Sequence, residues 1–182
     1  LELPLAPAAA AEALRALQER GIDVIEIFAP ADGLYAYNGL DTTDHYRIDP
    51  ELGTMEDFRQ FLRVAHSLGL AVIAFLNLGY FSVEAPDWLA ACDDRRAGHH
   101  DGRAAWFLWA DGADTPPPPT QEETADTPRH RADHPSWGWQ FSERAGCHFW
   151  ARWHADGPDG QQIPLPQINW SAASWRAEAE RI

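Results

Sequence analysis

Apolar positions in the first half of the chain alternate between a helical and a strand rhythm. From Ala8 to Arg20, Ala10, Leu14 and Leu17 recur at helical spacing, and Gly21 follows as a C-terminal stop. Residues Ile22 to Phe28 read Ile-Asp-Val-Ile-Glu-Ile-Phe, a short β-branched run closed by Pro30 and Gly33, which predicts a strand. The helical rhythm returns after Thr54, the predicted N-cap, with Asp57 three residues on in a near capping-box arrangement. Phe58, Phe61, Leu62, Ala65 and Leu68 form the predicted buried stripe, and Gly69 ends it. Leu70 to Leu78 is a second continuous apolar run, as expected of a parallel-sheet strand covered on both faces. Helix, strand, helix, strand with glycine stops predicts a parallel α/β unit with a right-handed crossover.

That grammar breaks from about Glu84. The chain loses period through Asp93-Asp94-Arg95-Arg96, His99-His100-Asp101 and Pro116-Pro117-Pro118-Pro119 as far as Asp133, and the prolines favour an extended, solvated piece. Trp137, Trp139 and Phe141 then alternate, Ser142 to Gly146 supply a turn, and Cys147 to Trp153 form a second aromatic run, so a β-hairpin is expected. Ser171 or Ser174 is expected to cap a last helix running to Ile182. The chain opens inside an apolar phrase without an initiating Met and stops inside a helical pattern, so both ends read as cut.

Composition narrows the chemistry. The 182 residues are 45% hydrophobic, enough for a core, and 14 basic against 28 acidic residues leave a formal charge of -14. That balance argues against nucleic acid, whose phosphates need a basic face. No apolar stretch approaches the roughly 18 to 20 residues that span a bilayer, and no signal-peptide order opens the chain, so no membrane partner is expected. Cys92 and Cys147 lack metal or redox spacing, and two ordinary thiols with a cytoplasmic setting are favoured. Oligomeric state is not legible. Nine Trp, eight Phe and four Tyr fit either sugar-stacking surfaces or a Trp-rich core. There is no Gly-rich phosphate loop and no Ser/His/Asp order, so no cofactor is expected and nucleotide binding and acyl transfer carry little weight.

Asn38-Gly39-Leu40-Asp41-Thr42-Thr43-Asp44-His45-Tyr46-Arg47-Ile48-Asp49-Pro50-Glu51-Leu52-Gly53-Thr54 resembles the phrase that follows the second strand in glycoside hydrolase family 13. Met55 to Phe58, Ala65 to Leu70 and Val72-Ile73 are similar to the helix and third strand of its oligo-1,6-glucosidase and amylosucrase branch. Trp106 to Gly112, Trp139 to Trp153 and Leu165-Pro166-Gln167-Ile168-Asn169-Trp170 follow in the same order as that branch's inserted domain and its return to the barrel. The resemblance implies an α/β fold, a partial (β/α)8 barrel holding the second and third βα units, with a loop-rich small β domain inserted after the third strand. Its implied divisions are a barrel segment over 1–84, an inserted domain over 85–167 and a return over 168–182. It also implies action on α-glucosides or oligosaccharides by a retaining double displacement, with both catalytic carboxylates beyond Ile182. No catalytic residue is therefore expected in this chain, and the expected substrate contacts are Asp41, Tyr80 and Leu40.

The departures from the family pattern matter equally. Where the resemblance implies an Asp supporting the catalytic centre, an Asn helping to hold calcium and a His binding sugar, this chain has Phe75, Gly79 and Tyr80. Leu40 stands where a Tyr stacks under the sugar, and Gln167 where an Asp is usual. A second reading is thus a non-catalytic sugar-binding or interaction protein on a decayed barrel. Asp41 can accept from sugar hydroxyls or form a turn with its own backbone. Tyr80 can enter the cleft or pack beneath the loop domain. His99, His100, Asp101, Asp93 and Asp94 read as a solvated loop before a metal site, since adjacent histidines do not readily share one ion. His66 reads as structural, and Trp137, Trp139, Trp150 and Trp153 as hairpin packing before sugar platforms.

Overall fold

The computed structural model describes residues 7–33, 40–110, 138–157 and 159–182. The proline run, Trp137, Asn38 and Gly39 lie outside the described residues. The first unit opens with helix α1 (Pro7–Glu19), which leads through Gly21 into strand β1 (Val24–Phe28). Two antiparallel strands follow, β2 (Ala31–Gly33) and β3 (Thr42–Ile48). Helix α2 (Met55–Ser67) then returns the chain to strand β4 (Ala71–Phe75), which pairs in parallel with β1 in the register Val24↔Ala71 to Phe28↔Phe75.

The capping box expected at Thr54 is complete. The Thr54 hydroxyl accepts from the Asp57 amide at 3.1 Å, and the Asp57 carboxylate accepts from the Thr54 amide at 2.9 Å. These bonds satisfy two of the donors that a helix start leaves open, and donation to the Asp57 carboxylate, first from the Thr54 hydroxyl and then from its amide, holds that carboxyl below its usual range. On the helix side of the parallel pair, Ile25 packs with Ala10, Leu14, Phe61, Ala65 and Leu70, and Val72 and Ile27 add to that cluster. The other side differs from the expectation of two covered faces. Among the described residues nothing lies over it, and Val24, Phe28, Ile73 and Phe75 are exposed.

The second unit corrects the reading of an aperiodic loop from Glu84. Helix α3 spans Pro86–Arg96, with Pro86 at its first turn, and a single 3-10 turn follows at Ala104–Trp106. Its apolar residues, Trp88, Ala91 and Cys92, share a stretch rich in Asp and Arg, which masks the amphipathic period. The hairpin falls where expected, as strands β5 (Gly138–Ser142) and β6 (Cys147–Asp156). Gly146 closes its turn at φ +71, a conformation that suits glycine, and donates to Ser142 O at 2.8 Å. A third strand, β7 (Gln162–Pro166), pairs with β6 at the sheet edge. Its Pro164 and Pro166 hide it in the sequence, since proline is tolerated on edge strands yet reads as a breaker.

Helix α4 (Ala173–Ala179) starts at Ala172 without a side-chain cap, so neither Ser171 nor Ser174 plays the expected role. Its Trp175 is fully buried against Phe81 at 5.6 Å and Trp106 at 5.3 Å, both edge-on. Trp88 extends the same core by stacking on Trp109 at 5.0 Å and meeting Phe149 and Phe107 edge-on. Such offset and edge contacts suit aromatic quadrupoles, and Trp88, Trp106, Trp150 and Trp175 are buried. Trp139 meets Trp150 at 5.3 Å across the hairpin, whereas Trp153 and Trp170 stand exposed.

Candidate functional site

Three chain segments meet where the two units join. The first is Leu40 to Thr42, entering β3; the second is Asn77 to Ser82, leaving β4; the third is Pro166 to Ile168, leaving β7. Backbone bonds lock them: Ser82 N donates to Thr42 O at 2.9 Å, Phe81 N to Pro166 O at 3.1 Å and Ile168 N to Gly79 O at 2.9 Å. Tyr80 and Gln167 form an antiparallel bridge between the second and third segments.

This junction brings together the three expected substrate contacts. Asp41 has no solvent-exposed surface, Leu40 is half-buried and Tyr80 is half-buried. Burial raises the Tyr80 phenol above its ordinary value, and the nearby Asp41 carboxylate adds to the effect. The phenol therefore stays protonated and able to donate at neutral pH. Tyr80 is the more accessible of the pair, with the buried carboxylate close enough to act on it.

Sequence reasoning missed the residue at the centre of the junction. Asn77 is buried, and its amide donates to Leu40 O at 2.5 Å and Tyr80 O at 3.2 Å while accepting from Gly79 N at 3.0 Å. Its backbone oxygen accepts from His45 Nε2 at 2.7 Å. The available signal was one amide inside the apolar run Leu70 to Leu78, where a polar side chain needs partners to be buried. His45 packs edge-on against Phe81 at 4.9 Å, and burial holds its pKa below the ordinary histidine value despite the opposing pull of its bond to the Asn77 carbonyl and of Asp44, Asp87 and Glu178.

Gly79, where the family resemblance implies an Asn that helps hold calcium, lies next to the antiparallel bridge of Tyr80 and Gln167, the latter standing where an Asp is usual. Gly79 has no side chain and Gln167 offers only a neutral amide, whose Oε1 is buried without a hydrogen-bond partner among the described residues. A calcium ion needs a ring of hard oxygens that normally includes carboxylates, so these two positions do not fit one. Phe75 lies apart, at the end of β4, stacked on Phe28 with ring centres 4.8 Å apart and planes 8° from parallel.

The remaining candidates lie elsewhere. His99, His100 and Asp101 are exposed after α3, where His100 contacts Arg95 and His99 lies 3.9 Å from Asp94. Asp93 is engaged by Arg144 in a forked pair at 2.7 and 2.6 Å, which ties α3 to the hairpin turn. His66 is exposed on the last turn of α2. Cys92 and Cys147 are unbridged, and burial pushes the Cys92 thiol up to about 11.

Residues 10–176 match the model of the alpha-amylase catalytic domain. The chain belongs to that family, as the sequence phrases implied. A probable oligo-1,6-glucosidase 3 of Bacillus subtilis is 29% identical over 143 residues, covering 79% of this chain and 24% of that protein. A trehalose synthase of Thermus thermophilus is 26% identical over 156 residues, covering 86% of this chain and 14% of that protein. The crystal structure of Bacillus licheniformis trehalose-6-phosphate hydrolase superposes with a TM-score of 0.72 at 22% identity, over 96% of this chain and 28% of that one, which shows a shared fold. The chain thus spans about a quarter or less of the length of these relatives.

Proposed function

We propose that this chain forms the substrate-side wall of a glycosidase or transglycosylase acting on α-glucosides. In this reading β1 and β4, with α1 and α2, are two units of a (β/α)8 barrel, residues 85–167 are a loop-rich insertion, and 168–182 lead back. The retaining mechanism takes its nucleophile and its acid from later barrel strands, and this chain contributes binding alone. One observation carries the reading: the family's collinear segments converge here on the Asp41 carboxylate and the Tyr80 phenol. Tyr80, the more accessible of the two, donates to sugar hydroxyls, and Asp41 accepts from them. The acidic surface leaves no role for nucleic acid, and no helix of the described residues is long and apolar enough to cross a membrane. A cytoplasmic setting suits the unbridged cysteines.

The test is turnover of α-glucosides by the whole protein. A hydrogen bond to a charged acceptor contributes about 1.5 to 3 kcal/mol, so Asp41→Asn is expected to lower kcat/KM roughly ten- to a hundredfold without loss of fold. His99→Ala combined with His100→Ala is expected to change it little. Undiminished kcat/KM in the Asp41 variant would remove that residue from the binding site. The Phe28–Phe75 stack favours a second reading, a non-catalytic sugar-binding or interaction protein on the same barrel. Two stacked rings replace hydrogen-bonding capacity at the strand ends where a catalytic pocket needs it. Saturable α-glucoside binding without turnover in the whole protein would select it.

A further inference from the structure

We propose that Asn77 is a positioning residue, whose side-chain amide sets the Asp41 segment and the Tyr80 segment at a fixed distance from one another. The inference rests on the reading of Asp41 and Tyr80 as substrate contacts, and it deepens that reading by naming what holds them in register.

The chemistry of the three bonds fixes the orientation of the amide. Leu40 O and Tyr80 O can only accept, and Gly79 N can only donate, so Nδ2 faces the two carbonyls and Oδ1 faces the glycine. The amide thereby uses both N–H groups and one oxygen lone pair in a buried place, where each bond unmade leaves an unsatisfied partner. Leu40 O belongs to the peptide that leads directly into Asp41, and Tyr80 O to the residue that carries the phenol. A shift of either carbonyl therefore moves a substrate contact. The contact from His45 Nε2 to the Asn77 oxygen holds the Asn77 backbone from a third side, through β3. A Cβ at Gly79 would meet Asn77 Oδ1 at 3.5 Å, ordinary contact, so tight packing does not fix this turn, and the bond from Gly79 N to Oδ1 ties it to Asn77.

The isosteric change Asn77→Asp separates positioning from space-filling. A carboxylate keeps the shape and can still accept from Gly79 N, but it loses both donations and sets negative charge against two carbonyl oxygens. The experiment uses the whole protein and compares wild type, Asn77→Ala and Asn77→Asp. Amide hydrogen exchange is read at Gly79, Phe81 and Ser82, kinetics are read on an α-glucoside, and thermal midpoints serve as a control for folding. Both variants are expected to exchange faster at those amides and to lose about tenfold in kcat/KM. Most of that loss should fall in kcat, because misplaced contacts bind the transition state less well than the substrate. Should Asn77→Ala fail to fold, Asn77→Ser retains one donor and is read in the same way. Unchanged exchange in both variants, or an Asn77→Asp protein indistinguishable from wild type, would overturn the proposal. Faster exchange in a whole protein whose wild type neither turns over nor binds any α-glucoside would leave the tie standing and remove the functional reading instead.

Discussion

At the level of single residues, the buried junction makes His45 a reporter of acid sensitivity. Burial disfavours its charged form, so its folded pKa lies below the roughly 6.5 of an exposed histidine, with the bond to the Asn77 carbonyl and then Asp44, Asp87 and Glu178 opposing the shift only in part. As pH falls below that value the unfolded chain takes up a proton that folded His45 refuses. The unfolded state then binds more protons, and stability declines from about pH 6.5 down to the folded pKa. His45→Gln removes this contribution, so the fall in thermal midpoint of the whole protein between pH 7 and pH 5 is expected to be smaller in the variant. An equal fall in both proteins would show that His45 remains protonatable in the fold. Leu40 and Asp41 were singled out by the family phrase around them and Tyr80 by standing where the family's His would be, and the structure places all three at one junction. The lone amide of Asn77 in an apolar run signalled buried partners without naming them, and His45 was not singled out, because both bond to backbone carbonyls that no side-chain pattern records.

Helices and strands were legible in proportion to the regularity of their burial. Helix α2 buries one continuous stripe against α1 and the strands beside it and begins with a complete box, and both features appear in its sequence. Thr54→Ala is expected to cost about 1 kcal/mol of stability through the lost cap, measurable by denaturant titration of the whole protein. A midpoint unchanged by that substitution would mean that tertiary packing alone holds the helix start. Helix α3 buries its face in a surrounding core while Asp93 and Arg96 reach the hairpin turn, so charged residues interrupt its period. Strand β7 is written in prolines that only an edge position permits.

For the molecule as a whole, the open side of the parallel pair decides behaviour. Phe28, Ile73, Phe75, Val24 and Leu76 are exposed there, and the two strands leave unpaired edges among the described residues. The 182-residue chain expressed by itself is therefore expected to aggregate or to melt without cooperativity. A soluble monomer with a sharp thermal transition would contradict this and would count against the barrel reading. By itself the sequence determined the parallel α/β unit, the hairpin and the family, because each rests on local periodicity, turn chemistry or collinear phrases. Tertiary structure alone decided that Asn77 joins two segments 37 residues apart in sequence, that Tyr80 bridges Gln167, and that Trp175 completes an aromatic core with Phe81 and Trp106. Those relations depend on which distant backbone groups compete for the same buried volume, and no window of sequence contains both partners.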